Sequence, residues 1–117
     1  MYIAEQFETA SNDISYTPHK LFKGVYLKHL VSGGMTDSRI SSHLVKVEPF
    51  CSLDMHTHSE QHEIHEVLQG SGKCQIAEKQ LLYTPGTVVV IHQNTPHMVT
   101  AGENGLYILV KFSPALL

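Results

Sequence analysis

The sequence predicts an all-β protein, a sandwich or small barrel of short strands. Three observations carry this. Apolar and β-branched runs are short, and Gly, Pro, Asn and Ser separate them at close spacing. Apolar residues at i, i+3, i+4 and i+7 between caps, the mark of an amphipathic helix, define no long segment. The chain of 117 residues fits one domain, with little room for a second.

Taken in order, Leu21 to Val31 reads as the first strand. His43-Leu-Val-Lys-Val-Glu48 alternates apolar and polar and stops at Pro49. Ile64 to Leu68 and Lys73 to Glu78 flank Gly70-Ser-Gly72 and read as a hairpin. Gln80 to Tyr83 stops at Pro85-Gly86. Thr87-Val-Val-Val-Ile91 does not alternate, which predicts cover on both faces, one of them supplied by a partner subunit. The turn His92 to Pro96 leads into His97 to Thr100, and Gly102 and Gly105 flank a further turn before Leu106 to Phe112. Thr9 to Thr17 and Ser32 to Ser41 are polar and read as loops or arms.

Hydrophobic residues make up 42% and charged residues 16%, the composition of a globular protein with a core. A net charge of −3 offers no basic surplus for nucleic acid and no polybasic run for an anionic membrane. No apolar run reaches the roughly 18 residues of a membrane span. The acidic start, MYIAEQFETASND, lacks a basic and an apolar signal region, so a cytoplasmic location is expected. Cys51 and Cys74 show no metal or redox spacing and are expected as unpaired thiols.

The chemistry concentrates in HTHSEQHEIHE, residues 56 to 66. His56 and His58 are two apart, so on a strand both imidazoles point to one face. Four residues allow a turn before Glu63, which a neighbouring strand can lay beside them. His97 follows the Pro96 turn at the start of another strand. Three imidazoles and one carboxylate suit Mn, Fe, Co, Ni, Cu or Zn, whereas Ca²⁺ wants oxygen ligands throughout. With Glu63 inward, alternation puts His65 and Val67 on the same face, making His65 an acid/base or supporting candidate. His43 shares a face with Val45 and Val47 and is a second pocket candidate. His62 and Glu66 fall outward, and Met55 and Met98 point away from the ligand histidines beside them. His92 is placed at the rim, and Tyr26, Tyr83, Tyr107 and Phe112 are core or interface aromatics. The nearby HEIHE is no zinc-protease motif, because its histidines are three apart rather than four.

The spacing resembles the cupin superfamily, in particular its small conserved-barrel (cupin 2-like) members. The family's first motif, G-x5-H-x-H-x(3,4)-E-x6-G, is met by His56, His58, Glu63 and Gly70. Its second, G-x5-P-x-G-x2-H-x3-N, is met by Gly86 and His97. Phe50 stands in place of the leading glycine, His92 of the proline, Asn94 of the second glycine and Ala101 of the asparagine. The resemblance implies a double-stranded β-helix, or jelly-roll, barrel over about residues 40–112, with an arm and strand over about 1–39, in one domain spanning 1–117. It implies one divalent transition metal per chain (Fe, Mn, Ni, Zn, Co or Cu) on His56, His58, Glu63 and His97, a small-molecule substrate or ligand, and a homodimer. Dioxygenase-type chemistry comes first by analogy, with isomerase or lyase chemistry also within reach and His65 and His43 as acid/base groups. A non-catalytic binding or sensing module is the alternative.

Overall fold

The computed structural model describes residues 10–117. Eight strands follow one another: β1 (Thr17–Pro18), β2 (Val25–Val31), β3 (Ser41–Val47), β4 (Ser52–His56), β5 (His62–Ile76), β6 (Lys79–Tyr83), β7 (Val88–Ile91) and β8 (His97–Ser113). Single turns of 3-10 helix at Ser11–Asp13 and Gly33–Met35 are the helical elements among the described residues. All strand pairs are antiparallel, the jelly-roll arrangement of the cupin barrel.

Two long strands organise the rest. β5 and β8 pair over their whole lengths, from His62↔Ser113 to Ile76↔His97. The first half of β5 takes β7 on its other edge, and the second half takes β6. The second half of β8 takes β3, and its first half takes β4. Each long strand therefore passes through both layers of the sandwich. Inward alternation along them supplies much of the core: Val67 and Cys74 from β5, and Val99, Ala101, Leu106, Ile108, Val110 and Phe112 from β8.

This corrects the hairpin and the later turn expected from the sequence. Gly70-Ser-Gly72 is no turn; β5 runs through it, and the β5–β8 register slips between Val67 and Gln69 and between Gly70 and Gly72. Gly102 and Gly105 likewise lie within β8. These glycines mark a crease where two backbones touch. A Cβ on Gly70 would sit 2.0 Å from the Gly105 carbonyl oxygen, and one on Gly72 would sit 2.4 Å from the Thr100 carbonyl oxygen. Glycine in a strand serves a bulge or close approach as readily as a turn. The real hairpin between β5 and β6 turns at Ala77 and Glu78, with Ala77 at φ 51°. The first long strand begins at Val25 rather than Leu21.

The expected double cover of Thr87–Ile91 is absent within the described chain. Ile91 is buried, but Val88 is 64% and Val90 54% exposed. The N-terminal arm falls partly in residues 1–9, outside the described residues.

Two positions where the cupin motifs carry glycine keep a positive φ without one: Phe50 at 62° and Asn94 at 63°. Asparagine tolerates that region, whereas a bulky side chain is strained there. Phe50 is 74% exposed, so little packing offsets the strain. Phe50→Gly should raise stability by about 1 kcal/mol in urea unfolding. Gly70→Ala, forced against the Gly105 carbonyl at φ 92°, should instead destabilise the fold by several times that amount.

Candidate metal centre

β4 and β8 bring the first two groups together, since His56 on the last residue of β4 faces His97 on the first residue of β8. Their rings lie 4.2 Å apart, centroid to centroid. β5 starts beside the other end of β8, and its inward Glu63 reaches the same point. His58 lies two residues past the end of β4, so only His56 of the H-x-H pair is on a strand. The turn after it still returns His58 to the cluster. One ligand atom from each of His56, His58, Glu63 and His97 lies within 4.8 Å of every other.

The outer nitrogens of two of these imidazoles are tied down. Nδ1–H of His56 donates to the Asp54 carbonyl at 2.6 Å, and Nδ1–H of His97 donates to the Thr95 carbonyl at 2.9 Å. In the neutral rings this leaves the Nε2 lone pairs free, the arrangement a metal-binding histidine needs. Burial lowers the pKa of His56 and of His58, which keeps both neutral. Glu63 is 3% exposed. Burial alone would raise its pKa, but the hydrogen bond from His65 and the attraction of the His65 and His97 imidazoles beside it outweigh this. They hold the carboxyl well below the usual range, so it is ionised.

Glu63 divides its two oxygens. Oε2 accepts from His65 Nε2–H at 2.7 Å. Nδ1 of His65 then accepts the Tyr83 hydroxyl at 2.8 Å. Burial, with the Cys74 thiol beside it, raises the Tyr83 pKa, so the phenol keeps its proton. The other oxygen, Oε1, lies 3.0 Å from His97 Nε2 and 3.6 Å from His58 Nε2. Oε1 and His97 Nε2 are both buried with no hydrogen-bond partner. Two lone pairs at that distance repel unless a proton or a cation stands between them. His97 responds in the expected sense: burial lowers its pKa, but the Glu63 carboxylate more than offsets this and the net shift is upward. The donor set and the two orphaned atoms both fit a divalent transition metal.

The cluster opens on a cavity of about 510 Å³. Leu27, Val45, Leu53, Val110 and Phe112 form its apolar wall.

A family model described as the AraC-like ligand binding domain matches residues 52–117, which include all four clustered residues. The chain belongs to that family, within the cupin superfamily. Its fold is shared with KdgF from a Halomonas species (19% identity, 90% of this chain and 92% of that one, TM-score 0.79). A predicted oxalate decarboxylase from Thermotoga maritima is similar (22%, 90% and 96%, TM-score 0.80). So is the polyketide cyclase RemF from Streptomyces resistomycificus (21%, 92% and 78%, TM-score 0.79). At such identities the likeness is one of fold. No curated protein sequence matches this cupin at a significant level.

Both acid/base candidates are buried and line the cavity. His65 stands against Glu63, as above. His43 sits farther off, on β3, opposite His29 of β2. Burial, with the charge of His29 beside it, lowers the His43 pKa to about 4. His62 is exposed and packs against His92 at the rim, while Glu66 pairs with Lys111 on the outer face. Met55 is exposed, and Cys51 and Cys74 are unpaired. Tyr83 and Phe112 are buried, whereas Tyr26 and Tyr107 are half-buried. Sequence reasoning missed His29, and it missed that Tyr83 supports His65. The signal for His29 was available: it alternates with Val25, Leu27 and Val31, as His43 alternates with Val45 and Val47. Among the described residues no helix is long and apolar enough to cross a membrane.

Tyr83→Phe removes the donor to His65 and loosens the hold on Glu63 Oε2. Metal affinity, measured by competition with a chromogenic chelator, should fall about tenfold. His43 sets an acid limit. Its folded pKa lies below the unfolded value of about 6.5, so the unfolded chain binds the extra proton and stability is lost as pH falls from 6.5 towards 4. Between pH 7 and pH 5 this contribution amounts to about 2 kcal/mol, and His43→Gln should remove that share of the pH dependence of urea unfolding.

Proposed function

We propose that this cupin binds one divalent transition metal through His56, His58, Glu63 and His97, and acts as a metal-dependent enzyme on a small organic substrate. The observation that carries this reading is the facing pair of buried, unpartnered atoms, Glu63 Oε1 and His97 Nε2, 3.0 Å apart. A structural histidine cluster has no reason to leave its central atoms unpaired, since each such atom costs about 1–3 kcal/mol. When bound, a first-row ion supplies a Lewis acid and, if redox-active, an electron source towards dioxygen.

The chain's own residues supply the rest. Tyr83 and His65 hold the carboxylate in one orientation and keep a proton at His65 Nε2, on the oxygen turned away from the histidines. The apolar wall orders the substrate and thins the water around the cluster. Dioxygenase-type chemistry stands first by analogy with the superfamily, and lyase or isomerase chemistry uses the same donors. Neighbours named for decarboxylation and cyclisation keep lyase chemistry close behind. A cytoplasmic homodimer, its partner covering Val88 and Val90, completes the proposal.

A second reading is a binding module without turnover, which the family's description as a ligand binding domain favours. Metal analysis of purified protein should find about one equivalent, and His58→Ala should lose most of it. Equal metal in both proteins would overturn the metal reading. Oxygen uptake or turnover across enols, keto acids and sugars supports the enzyme. Thermal stabilisation by one of these compounds without turnover supports the binding module instead.

A further inference from the structure

The cavity has a second polar pole away from the four clustered residues. On β3 the inward positions change from Val47 and Val45 to His43 and Ser41, all buried. Directly across the β2–β3 pair stands His29. Nδ1 of His29 meets Nδ1 of His43 at 2.8 Å, and Nε2 of His43 meets Ser41 Oγ at 2.9 Å. Ser41 Oγ also accepts the Leu116 amide at 3.0 Å. The row is satisfied at its inner end and open at the other. Among the described residues nothing pairs with Nε2 of His29, which lines the cavity.

The protons of this row can run in two directions. In one, Ser41 donates to His43, His43 donates to His29, and His29 Nε2 carries a hydrogen. In the other, His29 donates to His43, His43 donates to Ser41, and His29 Nε2 is bare. A proton added to that bare nitrogen gives an imidazolium with every inner bond kept. An anion at His29 Nε2 therefore finds a donor in either case, neutral or charged, without rearrangement.

The polar groups lining the cavity offer such a guest one cationic side chain, Lys20, and imidazole donors. Lys20, His19, His29 and His43 line it outside the metal cluster, and Glu63 is the one acidic side chain among its lining residues. Nδ1 of His19 accepts the amides of Leu21 and Phe22, so the neutral ring carries its proton on Nε2, another donor. Between the two poles the wall is apolar. We propose that the His29–His43 pair anchors the carboxylate of a small organic acid whose apolar body lies along Leu27, Val45 and Phe112. This deepens the reading of the cavity as the substrate chamber and rests on it, while the anchor itself needs no metal.

Hexanoate and its neutral isostere hexanamide test it at pH 7 by NMR titration of the whole chain, both metal-loaded and stripped by a chelator. Hexanoate should bind at least tenfold tighter than hexanamide in both forms. The imidazole ¹⁵N signals of His29 and His43 should shift with hexanoate. His29→Leu, at a solvent-accessible position between apolar residues of β2, should abolish the discrimination and leave metal content unchanged. Discrimination that survives in His29→Leu, or equal binding of the two probes by the wild type, would overturn the anchor. So would discrimination that vanishes on stripping, which would assign the carboxylate to the metal. A protein that takes up no metal when offered it, yet prefers hexanoate, would sink the metal reading and leave the anchor standing.

Discussion

A buried carboxylate constrains the rest of this barrel. Glu63 sits in the interior, where an isolated charge costs several kcal/mol, and it remains ionised. Everything within reach compensates it. One oxygen is held by His65 and, through it, by Tyr83. The other is turned towards three imidazoles, two of which are tied by Nδ1 to backbone carbonyls. Without a cation that second oxygen is under-satisfied, which is why the raised pKa of His97 and affinity for a metal are two answers to one electrostatic demand.

Placing that carboxylate requires the long β5–β8 pairing. Glu63 and His65 lie on the first half of β5, while His97 begins β8 beside the end of β5. These groups are far apart along the ladder and meet only because both strands bend through the two layers. The crease at Gly70, Gly72 and Gly105 makes the bend possible, by letting backbones approach to distances no side chain permits. The fold thus spends its glycines on closing the barrel around the site.

That same crease explains what the sequence made legible. The strand class could be read from short runs and turn residues, and the jelly-roll barrel and the clustering of His56, His58, Glu63 and His97 from the resemblance of their spacing to the cupin motifs, because ligand identity and interval both survive in the chain. The continuity of β5 and β8 could not, because Gly-Ser-Gly has the same composition in a turn and in a bulge. Only the partner backbone distinguishes them. The inward faces of His43 and His65 followed from strand alternation, a local rule. The His29–His43 contact depends on the β2–β3 register across an intervening loop, which no local rule supplies. The expected cover on Val88 and Val90 rested on a run of β-branched residues, a signal of burial that does not say which molecule buries them.

The polar end of β3 shows where stability and chemistry part. Val47 and Val45 pack into the core, and an apolar side chain at position 43 would extend that packing and spare the acid sensitivity His43 brings. The chain instead buries an imidazole there, and meets both its nitrogens with His29 and Ser41. Such a row is tolerable because it is fully satisfied at its inner end. Its outer end, the exposed His29, opens into the cavity that also receives the Glu63 cluster. Two polar poles separated by apolar wall define an orientation for whatever enters. A ligand with one anionic end can be held by His29 only if its body crosses the apolar strip, which presents its far end to the histidines around Glu63. Core packing gives way at one strand end, and a direction of binding follows from that loss.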